Sequence, residues 1–321
     1  MTEQNTTVSH QRQEALDFLK CIFILLMIAF HLVYFSELHP TAKQVVYTFH
    51  MPAFLLISGY LMNIEKPLKA FAKTLLGFAL PYLIMEAGYT VMASLLPIRE
   101  HIDTLTIGVF LDKLCIHPLG PYWYLHSLII CGAVYYGVFH YLKASLITRM
   151  MVTVLILYLL AQYAGLLAVT TLVYFLIGAV IRQMGLRFTS IFRPSVLAGV
   201  ALILLLLDEE HRHAAHLCGM ISVYMAISIG LWCEQQTSGR TRQVALFLGR
   251  NTLLLFVFSP IFTILCKQMV PYLSFDPTGL LFLLLSLVIC TCGSLALGWI
   301  LQKMHLSTWL FAKRKVLVMV D

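Results

Sequence analysis

What limits this chain most is a run of apolar stretches, each close to the length of a bilayer crossing, that follow one another from residue 18 to residue 301. A helix that spans hydrocarbon needs ~20 mostly apolar residues. On that criterion spans fall near 18–36, 45–63, 74–96, 119–141, 150–167, 169–184, 192–208, 214–233, 244–266 and 279–301. The turn from Ala168 to Thr171 is hardly polar, so nine or eleven spans remain open alternatives. Lipid cannot hydrogen-bond the backbone, and helices satisfy their own amides. The expected fold is therefore all-α, a polytopic integral membrane bundle of about ten transmembrane helices.

Composition agrees. Only 12% of residues are charged, against about 25% in soluble domains. The formal charge of +7 does not indicate nucleic acid, because the basic residues are scattered singly and form no patch with interleaved aromatics. Loop asymmetry explains them better. With the N-terminus inside, 17 of the 22 Lys and Arg fall on the cytoplasmic side, as the positive-inside rule requires of both termini being cytoplasmic. No cleavable signal peptide is evident. The eight cysteines show no disulfide or zinc spacing. The longest loop, Pro97 to Pro118, faces outward and contains an amphipathic piece from Ile102 to Leu114. No repeat and no appended soluble domain interrupts the pattern, so residues 1–321 read as one membrane domain.

Ionisable groups in lipid are costly, and each is a functional hypothesis by default. Asp17, Lys20 and His31 punctuate an otherwise apolar first helix. Lys20 and His31 return to within ~20° of one face and stand ~16 Å apart along the axis. Asp17 sits one turn from Lys20 and can pair with it. His50, in Phe49-His50-Met51-Pro52, and His126, in Tyr122-Trp123-Tyr124-Leu125-His126, start from the outer side of their helices. Counted from predicted span ends, all three histidines lie ~7 Å below that surface and are placed to line one cavity. Histidine acts as base or nucleophile near neutrality. The bland readings are a structural ion pair, packed core histidines and an interfacial aromatic belt for Tyr122, Trp123 and Tyr124. No serine elbow, phosphate-binding glycine loop or metal motif stands out.

Several elements, in order along nearly the whole chain, resemble the membrane-bound acyltransferase 3 family, especially its stand-alone sugar O-acetyltransferases. They are Asp17-Phe18-Leu19-Lys20 with ten residues before His31, Phe49-His50-Met51-Pro52, Ile57-Ser58-Gly59-Tyr60, Leu80-Pro81-Tyr82, Tyr122-Trp123-Tyr124-Leu125 and Leu248-Gly249-Arg250-Asn251-Thr252-Leu253. The resemblance implies transfer of an acyl group, usually acetyl, from cytoplasmic acyl-CoA to a hydroxyl of a sugar, glycan or lipid-linked saccharide, without a metal. It implies a bacterial cytoplasmic (inner) membrane location. His31 would be the essential histidine, with His50 and Asp17 assisting. Lys20, Lys69 and Lys73 would meet the donor's phosphates, and Trp123, Tyr124 and His126 the acceptor. The rival class is a proton-coupled secondary transporter or flippase using Asp17, Lys20 and the histidines as a relay.

Overall fold

The computed structural model describes residues 2–96, 100–213 and 217–319, with side chains from Glu14 onward. No strand occurs among them. The helices are α1 (Thr2–His31), α2 (Pro40–Leu61), α3 (Leu68–Leu95), α4 (Ile107–Cys115), α5 (Trp123–Tyr141), α6 (Leu146–Tyr163), α7 (Val169–Gln183), α8 (Val196–Leu207), α9 (Leu217–Gln236), α10 (Gly239–Arg250), α11 (Thr252–Cys266), α12 (Leu280–Lys303) and α13 (Ser307–Phe311), with shorter turns between some of them. Side-chain caps set several starts. Ser145 Oγ accepts Thr148 N–H at the head of α6. Ser195 Oγ accepts Ala198 N–H at the head of α8, filling donors that a helix start leaves without partners.

Every predicted stretch carries a helix. Five segments are long and apolar enough on their own to cross a membrane: α3, α6, α9, α11 continued to Leu273, and α12. α7 and α8 are apolar but shorter. α1, α2 and α5 are long enough but miss the hydropathy or charge limit, because Glu14, Asp17 and Lys20 interrupt α1 while polar and aromatic residues dilute α2 and α5. This architecture fits a multi-pass membrane protein.

Two boundaries differ from expectation. The first span, expected over 18–36, breaks at Leu32 (ψ 99°) and restarts as a short helix over Val33–Leu38. His31 is consequently the last residue of α1, and a second, short helix carries the rest of the expected span. The span expected over 244–266 is two helices that meet at Asn251. The Asn251 backbone N–H and side-chain amide both donate to the Phe247 carbonyl, at 3.2 and 2.8 Å, so the side chain reinforces the end of the first helix. The predicted amphipathic piece at 102–114 is α4, which begins five residues later, at Ile107. Residues 97–99, at the start of the outer loop, lie outside the described residues.

Contacts gather into two compact units, with the boundary inside α2. In the first (residues 1–54, 185–303 and 315–321), α1 packs on α9, α10 and α11, α8 on α9, and α11 on α12. Leu19, Phe23, Ile24 and Met27 give α1 a fully buried face, and Phe23 meets Phe49 and Phe54 edge-on. A Cβ at Gly249 would strike the Asp17 carbonyl, so the glycine permits α10 to cross α1 with backbones nearly in contact. In the second unit (residues 55–184 and 304–314), α3 packs on α4, α5 and α13, and α5 on α6 and α7. Gly59 and Gly178 face each other across α2 and α7. A Cβ on either would enter the opposite backbone at Phe175 or Leu56, as in the close small-residue crossings of membrane helices.

Candidate active site

The Asp17–Lys20 pair expected from i,i+3 spacing is present, with Lys20 Nζ 2.8 Å from Asp17 Oδ1. It belongs to a larger network. Arg250 Nε donates to Asp17 Oδ2 at 3.4 Å, and its Nη2 lies 4.0 Å from Glu14. Arg242 bridges Glu14 at 2.9 Å and Glu234 at 2.7 Å. Three cations thus face three carboxylates. Gly249 brings this about, since the close crossing at Asp17 sets the next residue, Arg250, against the carboxylate. Asn251 then clasps the tail, donating to Val318 O and accepting Val318 N–H at 2.8 and 2.9 Å.

His31 and His50 stand together in the same unit, on either side of Tyr47. Ring centroids are 6.2 Å apart for His31 and Tyr47, and 5.1 Å for Tyr47 and His50. Tyr47 is fixed in turn by its hydroxyl, which donates to Phe30 O at 3.2 Å. Each histidine bonds the carbonyl one turn back, His31 Nδ1 to Met27 O at 2.7 Å and His50 Nδ1 to Val46 O at 2.8 Å. A carbonyl only accepts, so Nδ1 carries the proton, and in the neutral ring Nε2 is the basic nitrogen. His50 is 2% exposed, and its Nε2 has no hydrogen-bond partner among the described residues. A buried basic nitrogen without a partner is costly and is chemically what a proton acceptor or acyl carrier needs.

The remaining candidates belong to the second unit. His126 Nε2 donates to Cys115 O at 2.9 Å and packs on the Tyr82 ring, while the Tyr82 hydroxyl donates to Leu114 O at 2.8 Å. Together they hold the last carbonyls of α4, which gives His126 a structural task. Tyr124 is buried with its hydroxyl 2.6 Å from Ser58 Oγ. Trp123, half-buried, stacks edge-on against it. Lys69 and Lys73 are exposed on the first turns of α3.

Sequence reasoning gave no site role to Arg250, quoted only within the 248–253 element and among the loop charges, or to Glu86. The Glu86 side chain is fully buried within α3. Its Oε1 accepts Leu119 N–H at 2.6 Å, and Oε2 has no partner among the described residues. The rule that singled out Asp17 and His31, an ionisable group inside an apolar run, marks Glu86 equally well.

Fold and site together define a polytopic helical protein with buried histidines and a buried carboxyl set into otherwise apolar helices. The profile of the acyltransferase 3 family, described as an acyltransferase domain, matches residues 13–301, most of the chain and parts of both units. The chain belongs to this family of membrane acyltransferases. Comparison with curated proteins and with solved structures gives no match.

Proposed function

We propose that this membrane acyltransferase moves an acyl group, acetyl being the usual one, from cytoplasmic acyl-CoA to a hydroxyl of a sugar, glycan or lipid-linked saccharide. It would do so through about ten spans of a bacterial inner membrane, with both termini cytoplasmic. The observation that carries this reading is the His31–Tyr47–His50 group, in which two imidazoles are each oriented by an Nδ1–H bond to the carbonyl one turn back, which makes Nε2 the basic nitrogen of the neutral ring. In direct transfer His31 Nε2 takes the hydroxyl proton as the oxygen attacks the thioester carbonyl. The C–S bond breaks and the CoA thiolate leaves with that proton. In a relay, His31 Nε2 carries the acyl group between two such steps. His50 orients the acceptor or shares the proton, and Asp17 sets the charge around α1.

On the donor side, Lys20 is already paired with Asp17, whereas Lys69 and Lys73 project into solvent, where cations meet phosphate oxygens. Trp123, half-buried with Tyr124 against its edge, offers an aromatic face for stacking on a saccharide. One observation favours the rival transporter reading: Glu86, a buried carboxyl with one oxygen unpartnered among the described residues, is the type of group a proton relay uses. Purified protein in detergent incubated with acetyl-CoA and a panel of glycans separates the two. Acyl transfer requires acceptor-dependent release of free CoA. Absence of any thioester loss, together with proton-driven uptake into vesicles, would refute it.

A further inference from the structure

The charged residues of the two units are balanced differently. Around Asp17 every cation has a carboxylate. At the start of α3 two ammonium groups come together without one. Lys66 Nζ donates to Thr74 Oγ1 at 3.1 Å, and the Tyr136 hydroxyl donates to Lys66 O at 3.1 Å, fixing that backbone. The second cation, Lys313, arrives from the far end of the sequence. Its segment is built onto α3. Phe311 and Ser307 are fully buried, and Ser307 Oγ donates to Arg314 O at 2.9 Å. Ala312 takes a left-handed conformation, φ 54°. The Phe311 carbonyl and the Lys313 stem lie over Gly77, 3.1 and 3.7 Å from where a Cβ would stand. Among the described residues no carboxylate forms an ion pair with Lys66 or Lys313.

Burial, and then the charge of Lys66, hold the Lys313 ammonium below its usual pKa. Two like charges brought together destabilise the folded chain, and membrane orientation needs only their presence on one side, not their contact. A left-handed non-glycine residue and a buried phenylalanine spent on delivering one lysine call for an anion that balances both.

We propose that Lys66, held by the Thr74 hydroxyl, and Lys313 form a binding site for a phosphate group on the cytoplasmic side of the second unit. Its donors are two ammonium groups, one of them positioned by Thr74, whose own hydroxyl proton goes to Ala70 O at 3.0 Å; paired cations suit a phosphate monoester or diester. A phosphate of acyl-CoA and an anionic phospholipid headgroup share this chemistry. Identification of the ligand as acyl-CoA rests on the acyl-transfer reading, whereas the site itself does not.

The test uses the full chain in phosphatidylcholine nanodiscs. Binding of radiolabelled CoA is measured, and the thermal midpoint is followed as phosphatidylglycerol replaces phosphatidylcholine. Lys313→Ala should weaken CoA binding about tenfold, the loss of one charge-assisted contact. Lys313→Arg should retain it. The Ala variant's own midpoint in phosphatidylcholine should be no lower than wild type, because it removes one of two facing like charges. Should wild type ignore CoA yet gain stability from phosphatidylglycerol, and Lys313→Ala lose that gain, the phosphate site stands with a lipid ligand and the acyl-CoA reading fails. Equal CoA binding and equal phosphatidylglycerol response in wild type, Lys313→Ala and Lys66→Ala would overturn the site.

Discussion

Asp17→Ala removes the carboxylate that two cations share. Asp17 Oδ1 is 2.8 Å from Lys20 Nζ and Oδ2 is 3.4 Å from Arg250 Nε. At an effective dielectric of about 20 these contacts correspond to roughly 6 and 5 kcal/mol of direct attraction. Bringing three charges out of water offsets most of that. The side chains are 15%, 19% and 16% exposed, nearer the buried than the surface case, so the net loss should be about 2–4 kcal/mol. In detergent this should lower the thermal midpoint, followed by tryptophan fluorescence, by roughly 5–10 °C. The network also makes a sharper statement. If Lys20 were the only partner, Asp17→Ala/Lys20→Ala would restore stability, since neither charge would be stranded. Because Arg250 still faces the missing carboxylate, the double variant should stay within about 1 kcal/mol of Asp17→Ala. Return of the double variant to the wild-type midpoint would show that Arg250 contributes nothing at Asp17 and would refute the shared-carboxylate account.

The close crossing of α2 and α7 predicts that Gly178→Ala, whose Cβ would strike the Leu56 carbonyl, costs at least about 1–3 kcal/mol. Gly88→Ala, with nothing near its Cβ, should be neutral or slightly stabilising, and equal midpoints for the two variants would contradict the crossing. Asp276 accepts Thr278 and Leu281 N–H groups at the head of α12, and these bonds hold its pKa below the usual value. A carboxyl depressed on folding stabilises above its unfolded pKa of about 4 and loses that contribution as pH falls through its folded value. Asp276→Asn should therefore melt below wild type at pH 7, and the gap should close under acid; a gap independent of pH would count against the cap. Cys115, exposed at the end of α4, should react with an impermeant thiol reagent on intact cells, while single cysteines placed in the 234–243 connection between α9 and α10 stay protected. Labelling of that connection from outside would reverse the orientation.

How far the sequence could be read depended on whether a feature was local. Asp17, Lys20 and His31 stood out because charge is rare in an apolar run, and the i,i+3 pair needed only helix geometry. Arg250 could not be assigned to Asp17 in the same way, since 233 residues separate them and only the Gly249 crossing brings them together. The break at Leu32 was hidden because residues 33–38 remain apolar and helical, so periodicity runs on through it. The division at Asn251 falls at a short polar interruption, Arg250-Asn251-Thr252, which the apolar Leu and Phe on both sides masked. Glu86 was legible, one carboxylate within the 74–96 stretch, but its bond to Leu119 N–H was not. The grouping of His31 with His50 was expected from depth, yet the structure builds it on Tyr47 and a helix end. Lys313 could not be connected to Lys66 at all without the fold of the 304–314 segment.

The account rests on His31 as the residue at which the acyl group changes hands. The most direct measurement is acceptor-dependent release of free CoA from acetyl-CoA by purified wild type, His31→Ala and His50→Ala at matched concentration, with thermal midpoints recorded on the same samples. His31→Ala should retain a midpoint near wild type, because alanine suits the end of a lipid-phase helix, and lose at least about 10³-fold in rate, the scale of a general base or nucleophile. His50→Ala should fall between the two. CoA release by folded His31→Ala at the wild-type rate would contradict the assignment.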